Sequence, residues 1–185
     1  MTTNFNQDHF KKYESAFSKL KTGQSPETLI ITCSDSRVCP TIMTDSGPGD
    51  LFVIRNAGNL VPANSDTPTN EGATIEYAVK ALKVKNIVVC GHSGCGAMGA
   101  IANIESVKDF SILYKALESK THMLEKLPSG IEGDEKLAKL IEINVHEQIN
   151  NLKTYPFVKE AVDKGELKLI GWVYDFINEK QIVLT

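Results

Sequence analysis

The sequence predicts an α/β fold with a central, mostly parallel β-sheet flanked by helices, an antiparallel C-terminal edge and an N-terminal helical arm. Short apolar runs rich in β-branched residues alternate with segments of helical periodicity. The order strand, helix, strand implies a right-handed crossover between parallel strands. Two further apolar runs close the chain and are joined by a polar turn, which is typical of an antiparallel edge.

Length and composition indicate a single domain over residues 1–185. Of the 185 residues, 42% are hydrophobic and 23% are charged, and the formal net charge is -3. This balance does not suggest a nucleic-acid partner, because such proteins usually carry a basic patch. No apolar run approaches the ~20 residues that span a membrane, and the polar N-terminus lacks the apolar centre of a signal peptide. We therefore expect a cytoplasmic protein whose cysteines are reduced.

The first segment with helical periodicity covers residues 8–21. Gly23 follows it as a stop signal. Residues 1–22 precede the alternating pattern of the core, so we predict that they form a helical arm that wraps either the core or a partner subunit. The residues that share one face of the predicted helix are Phe10, Tyr13, Phe17 and Leu20.

Three apolar runs predict buried parallel strands, at residues 28–33, 51–56 and 86–91. The first two are separated by a loop that contains two prolines and two glycines. Residues 70–83 place apolar side chains on one helical face and predict the crossover helix before the third strand.

The C-terminal half of the chain predicts four more helices and the two edge strands. The strands cover residues 166–175 and 181–185, with the turn I-N-E-K between them. The predicted helices cover residues 96–104, 109–127, 136–153 and 156–165.

Two cysteine motifs follow predicted strands. C-S-D-S-R begins at the end of the first strand, and G-H-S-G-C-G follows the third. Ligands of open α/β sheets bind beyond the carboxyl ends of the strands, so both motifs are expected at one edge. Cys33, His92 and Cys95 would supply two sulfurs and one nitrogen, which favour zinc over magnesium or calcium.

Asp35 and Arg37 lie within the first motif and offer two arrangements. Asp35 can become a fourth ligand and close the centre, or it can pair with the planar guanidinium of Arg37 and leave that position to water. Metal-bound water loses its proton near neutral pH, so an open centre is reactive. A non-enzymatic zinc-binding module is the alternative of another class, although such sites usually have four Cys or His ligands.

These motifs resemble the signatures of the β-class carbonic anhydrase family, and of its plant-like members in particular. F-V-I-R-N-A-G-N at residues 52–59 and G-W-V-Y-D at residues 171–175 also match the family. The resemblance runs from about residue 24 to the end of the chain. It implies a zinc-bound hydroxide that attacks CO2 and gives bicarbonate and a proton, reversibly. Hydrolysis of carbonyl sulfide or carbon disulfide on the same scaffold is the alternative reaction.

The resemblance also implies roles by matched position. Asp35 and Arg37 would be the catalytic dyad. Family members are homodimers or dimers of dimers whose N-terminal helices embrace the partner, so the resemblance implies that the arm of residues 1–22 packs on a partner subunit. The implied ligands of one Zn2+ per subunit are Cys33, His92 and Cys95. The implied substrate-binding residues, often found across the dimer interface, are Gln24, Phe52 and Tyr77.

One departure from the family concerns a second bicarbonate site. Ile30 stands where some bacterial members carry a tryptophan that helps to form this non-catalytic site, whereas Arg55 and Tyr174 remain near its other contacts. We therefore expect no strong bicarbonate lock, and an Asp35–Arg37 pair beside an open zinc site.

The remaining cysteines and histidines have no predicted part in the chemistry. Cys90 is expected in the core strand, and Cys39, close to the motif, is left open between a bystander and a redox role. The histidines expected on the surface or in packing, rather than as proton shuttles, are His9, His122 and His146.

Overall fold

The computed structural model describes residues 7–185, which form a five-stranded sheet in the order β2-β1-β3-β4-β5. Neighbouring strands are parallel except β4 and β5, which are antiparallel. The predicted fold class is therefore confirmed. The strands are β1 (Thr28–Cys33), β2 (Leu51–Asn56), β3 (Asn86–His92), β4 (Lys168–Asp175) and β5 (Lys180–Val183).

The N-terminal arm consists of two short helices, α1 (Gln7–Lys12) and α2 (Glu14–Leu20). The continuous helix predicted from residue 8 to 21 is interrupted at Tyr13, whose φ of -111° is not helical. The first six residues of the predicted arm lie outside the described residues. Leu20 anchors the end of the arm, because a Cβ on Gly49 would lie 2.6 Å from its Cδ2.

The connections between the first three strands contain two helices. The short α3 (Pro40–Met43) was not predicted, and a proline at its first position suits a helix start. The crossover helix α4 (Asn70–Glu76) begins at Thr69, whose hydroxyl accepts a hydrogen bond from the Gly72 N–H at 3.0 Å. It continues as a π-helical turn (Tyr77–Ala81), so the helix predicted to residue 83 changes geometry partway.

The helices after β3 are more numerous than predicted and most are shorter, although α7 begins at Gly133, three residues before the predicted start at 136. The helix expected over residues 109–127 is two segments, because the chain leaves α-geometry after Glu118 and resumes as a 3₁₀ helix. None of the helices within residues 7–185 has the length and apolar character needed to cross a membrane. The α-helices are α5 (Gly96–Ala102), α6 (Ser111–Glu118), α7 (Gly133–Lys153) and α8 (Pro156–Asp163), and the 3₁₀ segments are Ile104–Val107 and Thr121–Lys126.

Helix α7 covers the centre of the sheet and lies very close to it. A Cβ on Gly91 would lie 2.9 Å from Cγ2 of Ile141, and one on Gly171 would lie 2.9 Å from Cγ1 of Val145. The two glycines therefore let the helix approach β3 and β4. This packing makes the larger part of the hydrophobic core and holds the end of β3 in place.

Candidate metal centre

Three buried side chains converge where two central strands end. Cys33 ends β1, His92 ends β3, and Cys95 immediately precedes α5. Their ligand atoms all lie within 4.8 Å of one another. This set of two sulfurs and one imidazole nitrogen could hold a single metal ion, and its donors are those that zinc prefers.

The local backbone explains how these residues meet. Strands β1 and β3 are hydrogen-bonded neighbours, with Thr32 opposite Cys90, so their ends lie side by side. After His92 the chain turns through Gly94, whose φ of +65° is in the left-handed region that favours glycine. The turn brings Cys95 back beside the imidazole.

The imidazole of His92 is oriented for coordination through one nitrogen. Its Nδ1 lies 3.0 Å from the carbonyl oxygen of Ser93, and because a carbonyl only accepts, Nδ1 carries the proton. The other nitrogen, Nε2, is buried and has no hydrogen-bond partner. A buried polar atom without a partner is costly, and a metal ion held with the two sulfurs would satisfy it. The residues present therefore fit a metal ion.

The two thiols are hydrogen-bonded to each other. The bond from Cys95 lowers the pKa of Cys33, and the same bond together with burial raises the pKa of Cys95. Cys33 is therefore the thiol of the pair that loses its proton more readily. A cation at this position would displace the remaining proton and bind both sulfurs as thiolates.

Asp35 and Arg37 form the ion pair expected from the sequence. Arg37 Nε donates to Oδ1 of Asp35 at 2.9 Å and Nη2 donates to Oδ2 at 2.7 Å, while Nη2 also donates to the Gly94 carbonyl at 3.0 Å. These bonds hold the pKa of Asp35 well below its usual range. Oδ2 of Asp35 lies 3.9 Å from Nε2 of His92, so the carboxylate borders the cluster.

Arg55 fixes the loop that carries the pair. Its Nε donates to the Cys33 carbonyl at 3.0 Å, and its Nη2 donates to the carbonyls of Asp35 and Val38, both at 2.8 Å. Sequence analysis related Arg55 to a bicarbonate site, whereas here its guanidinium binds backbone carbonyls. Tyr174 supports the neighbouring turn, because its carbonyl accepts from the Ser93 N–H at 3.0 Å.

Two contacts of the cluster were not found from the sequence. The ring of Phe176 stacks on that of His92, with centroids 6.2 Å apart and an interplanar angle of 22°, and the Arg37 guanidinium carbon lies 5.0 Å from the Phe176 centroid. The Gly58 N–H points at the Cys33 sulfur over 3.4 Å. Phe176 lies in the β4–β5 turn and Gly58 follows β2, so only the fold brings them to the motifs.

The three residues assigned to the substrate pocket are not all together. The rings of Phe52 and Tyr77 lie with their centroids 6.1 Å apart. Gln24 lines a cleft of about 510 Å³ with Leu20 and Gly49, and none of the cluster residues lines that cleft. Within one chain, therefore, Gln24 is in a different place from the aromatic pair.

The two cysteines outside the cluster, Cys39 and Cys90, lie in different surroundings. All four cysteines are unpaired, as expected. Cys90 lies in the core, where burial raises its pKa to about 12, which confirms the prediction for this residue. Cys39 is only partly buried, and its Sγ lies 3.5 Å from the Thr41 hydroxyl, a hydrogen bond that lowers the thiol pKa.

Comparisons with known proteins agree with this geometry. A family model described as carbonic anhydrase matches residues 28–180. A carbonic anhydrase of Synechococcus elongatus is 42% identical over 176 residues, which are 92% of this chain and 64% of that protein, so the chain spans less than two thirds of this relative. The structure of the β-carbonic anhydrase CcaA matches with a TM-score of 0.90 and 37% identity, covering 97% of this chain and 82% of that one. A second structure, described as one of two tetrameric β-carbonic anhydrases from Sordaria macrospora, matches with a TM-score of 0.79 and 34% identity, covering 95% and 88% of the two chains.

Proposed function

The chain belongs to the β-carbonic anhydrase family, and from this premise we propose that it catalyses the reversible hydration of CO2 to bicarbonate and a proton. The observation that carries the proposal is the unpartnered Nε2 of His92, buried beside the sulfurs of Cys33 and Cys95. A site of two thiols, one imidazole and a restrained carboxylate suits an ion with one open position.

The proposed cofactor is one Zn2+ per subunit. Cys33, His92 and Cys95 would hold it, and the Ser93 carbonyl would keep the imidazole in the coordinating tautomer. When bound, zinc lowers the pKa of water to near neutrality and so makes it nucleophilic at physiological pH. Ligation by thiolates requires reduced cysteines, which supports the proposed cytoplasmic location.

Asp35 and Arg37 are the proposed catalytic dyad. Arg37 donates to both oxygens of Asp35, which keeps that carboxylate ionised and away from the ion. Asp35 would then accept a hydrogen bond from the attacking water and so direct a lone pair of that water at the carbon of CO2. If Arg37 releases it, Asp35 can act as a fourth ligand and close the centre.

We propose an apolar pocket for CO2, because CO2 is itself an apolar molecule. Phe52 and Tyr77 would place the gas near the nucleophile by shape, with Gln24 donating a hydrogen bond to a substrate or product oxygen. Since Gln24 lies in a different cleft within one chain, we assign this contact to Gln24 from a second copy.

A second copy is also the proposed partner of strand β2. This strand is hydrogen-bonded only to β1, which leaves its other edge open within the described residues. Val53 on β2 is 40% exposed, and Tyr77, whose ring lies near that of Phe52 on the same strand, is 51% exposed. An apolar open edge favours pairing, so we propose a homodimer or a dimer of dimers.

The decisive experiment compares CO2 hydration with hydrolysis of carbonyl sulfide on purified protein of measured zinc content. Cys33→Ala should lose both the metal and the CO2 activity. Cys39→Ala is the matched control, because that thiol lies outside the cluster, and it should keep both. A zinc-loaded wild type with negligible CO2 hydration would overturn the proposal, whether it hydrolysed carbonyl sulfide or was inactive on both.

A further inference from the structure

Helix α7 carries a row of polar side chains on its buried side. Asn144 and Gln148 are fully buried, and Asn151 is partly buried. Their spacing of four and three residues places all three on one face of the helix. That face meets the segment after β2. Burying amides is costly unless each finds hydrogen bonds, so the contacts they make are informative.

The amides form a connected network with the backbone of residues 58–61. Gln148 Oε1 accepts from the Val61 N–H at 2.8 Å, and Gln148 Nε2 donates to Oδ1 of Asn144 at 2.8 Å. Asn144 Nδ2 then donates to the Gly58 carbonyl at 3.0 Å, and Asn151 Nδ2 donates to the Val61 carbonyl at 2.9 Å. Because Gln148 occupies the oxygen of Asn144, only the NH2 group of Asn144 can face Gly58.

Gly58 connects this network to the candidate metal centre. Its carbonyl accepts from Asn144, while its N–H is directed at the Cys33 sulfur over 3.4 Å. The residue has a φ of +82°, and a Cβ there would lie 3.0 Å from Cβ of Ala97 and 3.1 Å from Cε of Met98. The backbone at Gly58 therefore passes so close to the start of α5 that a side chain would not fit, and the Asn144 bond ties it to α7.

We propose that Asn144 is a positioning residue that aims the Gly58 N–H at the Cys33 sulfur and thereby tunes how strongly this sulfur donates electrons to a metal ion. The inference rests on the proposed function only in requiring that the cluster binds metal. A hydrogen bond to a ligating sulfur withdraws electron density from it, and groups that contact metal ligands typically change metal affinity about 10–100-fold. Asn144 touches neither the ion nor the substrate, so its effect must pass through Gly58.

Asn151 provides a matched comparison on the same helix. It also donates one amide hydrogen bond to the same segment, but to the Val61 carbonyl, three residues further from the N–H that faces Cys33. A network that only stabilised the fold would lower the free energy of unfolding in both variants without changing the ligating sulfurs. If Asn144 positions the Gly58 N–H, its loss should change metal binding, whereas the loss of Asn151 should not.

The experiment uses cobalt-substituted protein, in which the sulfur-to-cobalt charge-transfer band reports on the ligating sulfurs. Asn144→Ala should shift this band and weaken cobalt and zinc affinity by about 10-fold or more in chelator competition. Asn151→Ala should leave both at their wild-type values. An unshifted band in folded Asn144→Ala, or equal shifts in the two variants, would overturn the inference.

A second measurement requires no variant and covers the case in which Asn144→Ala does not fold. In wild type loaded with NMR-active cadmium, a scalar coupling should connect the Gly58 amide proton to the metal through the Cys33 sulfur. Its absence would refute the positioning of that N–H. A wild type that binds neither cobalt nor cadmium through sulfur would instead refute the proposed metal centre itself.

Discussion

Arg37 holds Asp35 by two parallel hydrogen bonds, from Nε to Oδ1 at 2.9 Å and from Nη2 to Oδ2 at 2.7 Å. The Arg37 backbone N–H adds a third bond to Oδ1 at 3.0 Å. The carboxylate therefore has most of its acceptor positions directed at one residue. Because it also lies 3.9 Å from His92 Nε2, the bonds from Arg37 hold the carboxylate beside the cluster with its oxygens directed at the guanidinium.

Replacing Arg37 should release Asp35 toward the ion. Arg37→Ala removes both charge-assisted hydrogen bonds that its guanidinium donates to Asp35, so we expect kcat/KM for CO2 hydration to fall by about 10–100-fold. Stopped-flow assays at equal zinc content would measure the loss. A structure of the zinc-loaded variant should show an oxygen of Asp35 bound to the metal.

Arg37→Lys is the control for this change, because it keeps the positive charge but lacks the planar fork. We expect it to recover only part of the lost rate. Full activity in Arg37→Lys would mean that charge alone suffices and that the two-bond geometry has no role.

Phe176 should support the dyad through its ring. It lies against both Arg37 and His92, and an aromatic ring attracts a cation placed over its face. Phe176→Leu keeps an apolar side chain but loses the ring, so kcat/KM should decrease about 2–5-fold. Phe176→Tyr keeps the ring and should stay near wild type. Equal activities of the two variants in the CO2 assay would exclude a role for ring stacking.

The sequence predicted the ends of the strands well but not the contacts between distant segments. Cys33 and His92 were found because β-branched runs end at or next to them and parallel strands share an edge. Phe176 and Gly58 gave no such signal, since a turn residue and a glycine acquire their partners only through tertiary packing. Likewise, nothing local to Asn144 distinguishes its buried amide from an exposed one, because α7 has polar residues on more than one side.

Metal binding should stabilise the fold, because the cluster is buried and joins β1, β3 and the start of α5. Free zinc at a hundred times its dissociation constant adds about 2.7 kcal/mol to the free energy of unfolding of any protein that binds it only when folded. Urea unfolding with zinc and with chelator would measure this difference. For His92→Ala the free energy of unfolding should be the same in both conditions. If zinc did not change the free energy of unfolding of the wild type, the cluster would not be a metal site.

A charge on the open edge of the sheet should weaken self-association. Val53→Lys places a cation on β2, where the side chain is 40% exposed in the single chain. We expect a lower molar mass in sedimentation velocity and reduced CO2 hydration, because Gln24 of a second copy would no longer complete the pocket. Ile112→Lys, at an 86% exposed position on α6, is the matched control and should leave both unchanged. An unaltered mass for Val53→Lys would remove β2 from the interface.

Glu147 on α7 should make the free energy of unfolding depend on pH, because its carboxylate is bonded to His122 and Lys126. Its side chain is 14% exposed, and its carboxylate accepts hydrogen bonds from His122 Nε2 at 2.6 Å and from the Lys126 ammonium. Burial alone would raise the pKa of Glu147, but the bonds from Lys126 and His122 outweigh it and leave that pKa below its ordinary value. The hydrogen bonds from His122 and Lys126 to Glu147 also tie the 3₁₀ segment Thr121–Lys126 to α7.

The lowered pKa of Glu147 fixes the sign of the effect. The unfolded chain binds the proton more readily, so the stabilisation is complete above the ordinary carboxyl pKa and is lost as the pH falls through the folded value. Because Lys126 and His122 are half exposed, Glu147→Gln should cost only about 1 kcal/mol at pH 6. The difference from wild type should shrink when urea unfolding is repeated at about pH 3.5. As the control, Glu142→Gln removes an exposed ion pair with Lys139 on the same helix and should lower the free energy of unfolding by less. If the loss of stability in Glu147→Gln stayed constant with pH, the charge of Glu147 would not be its cause.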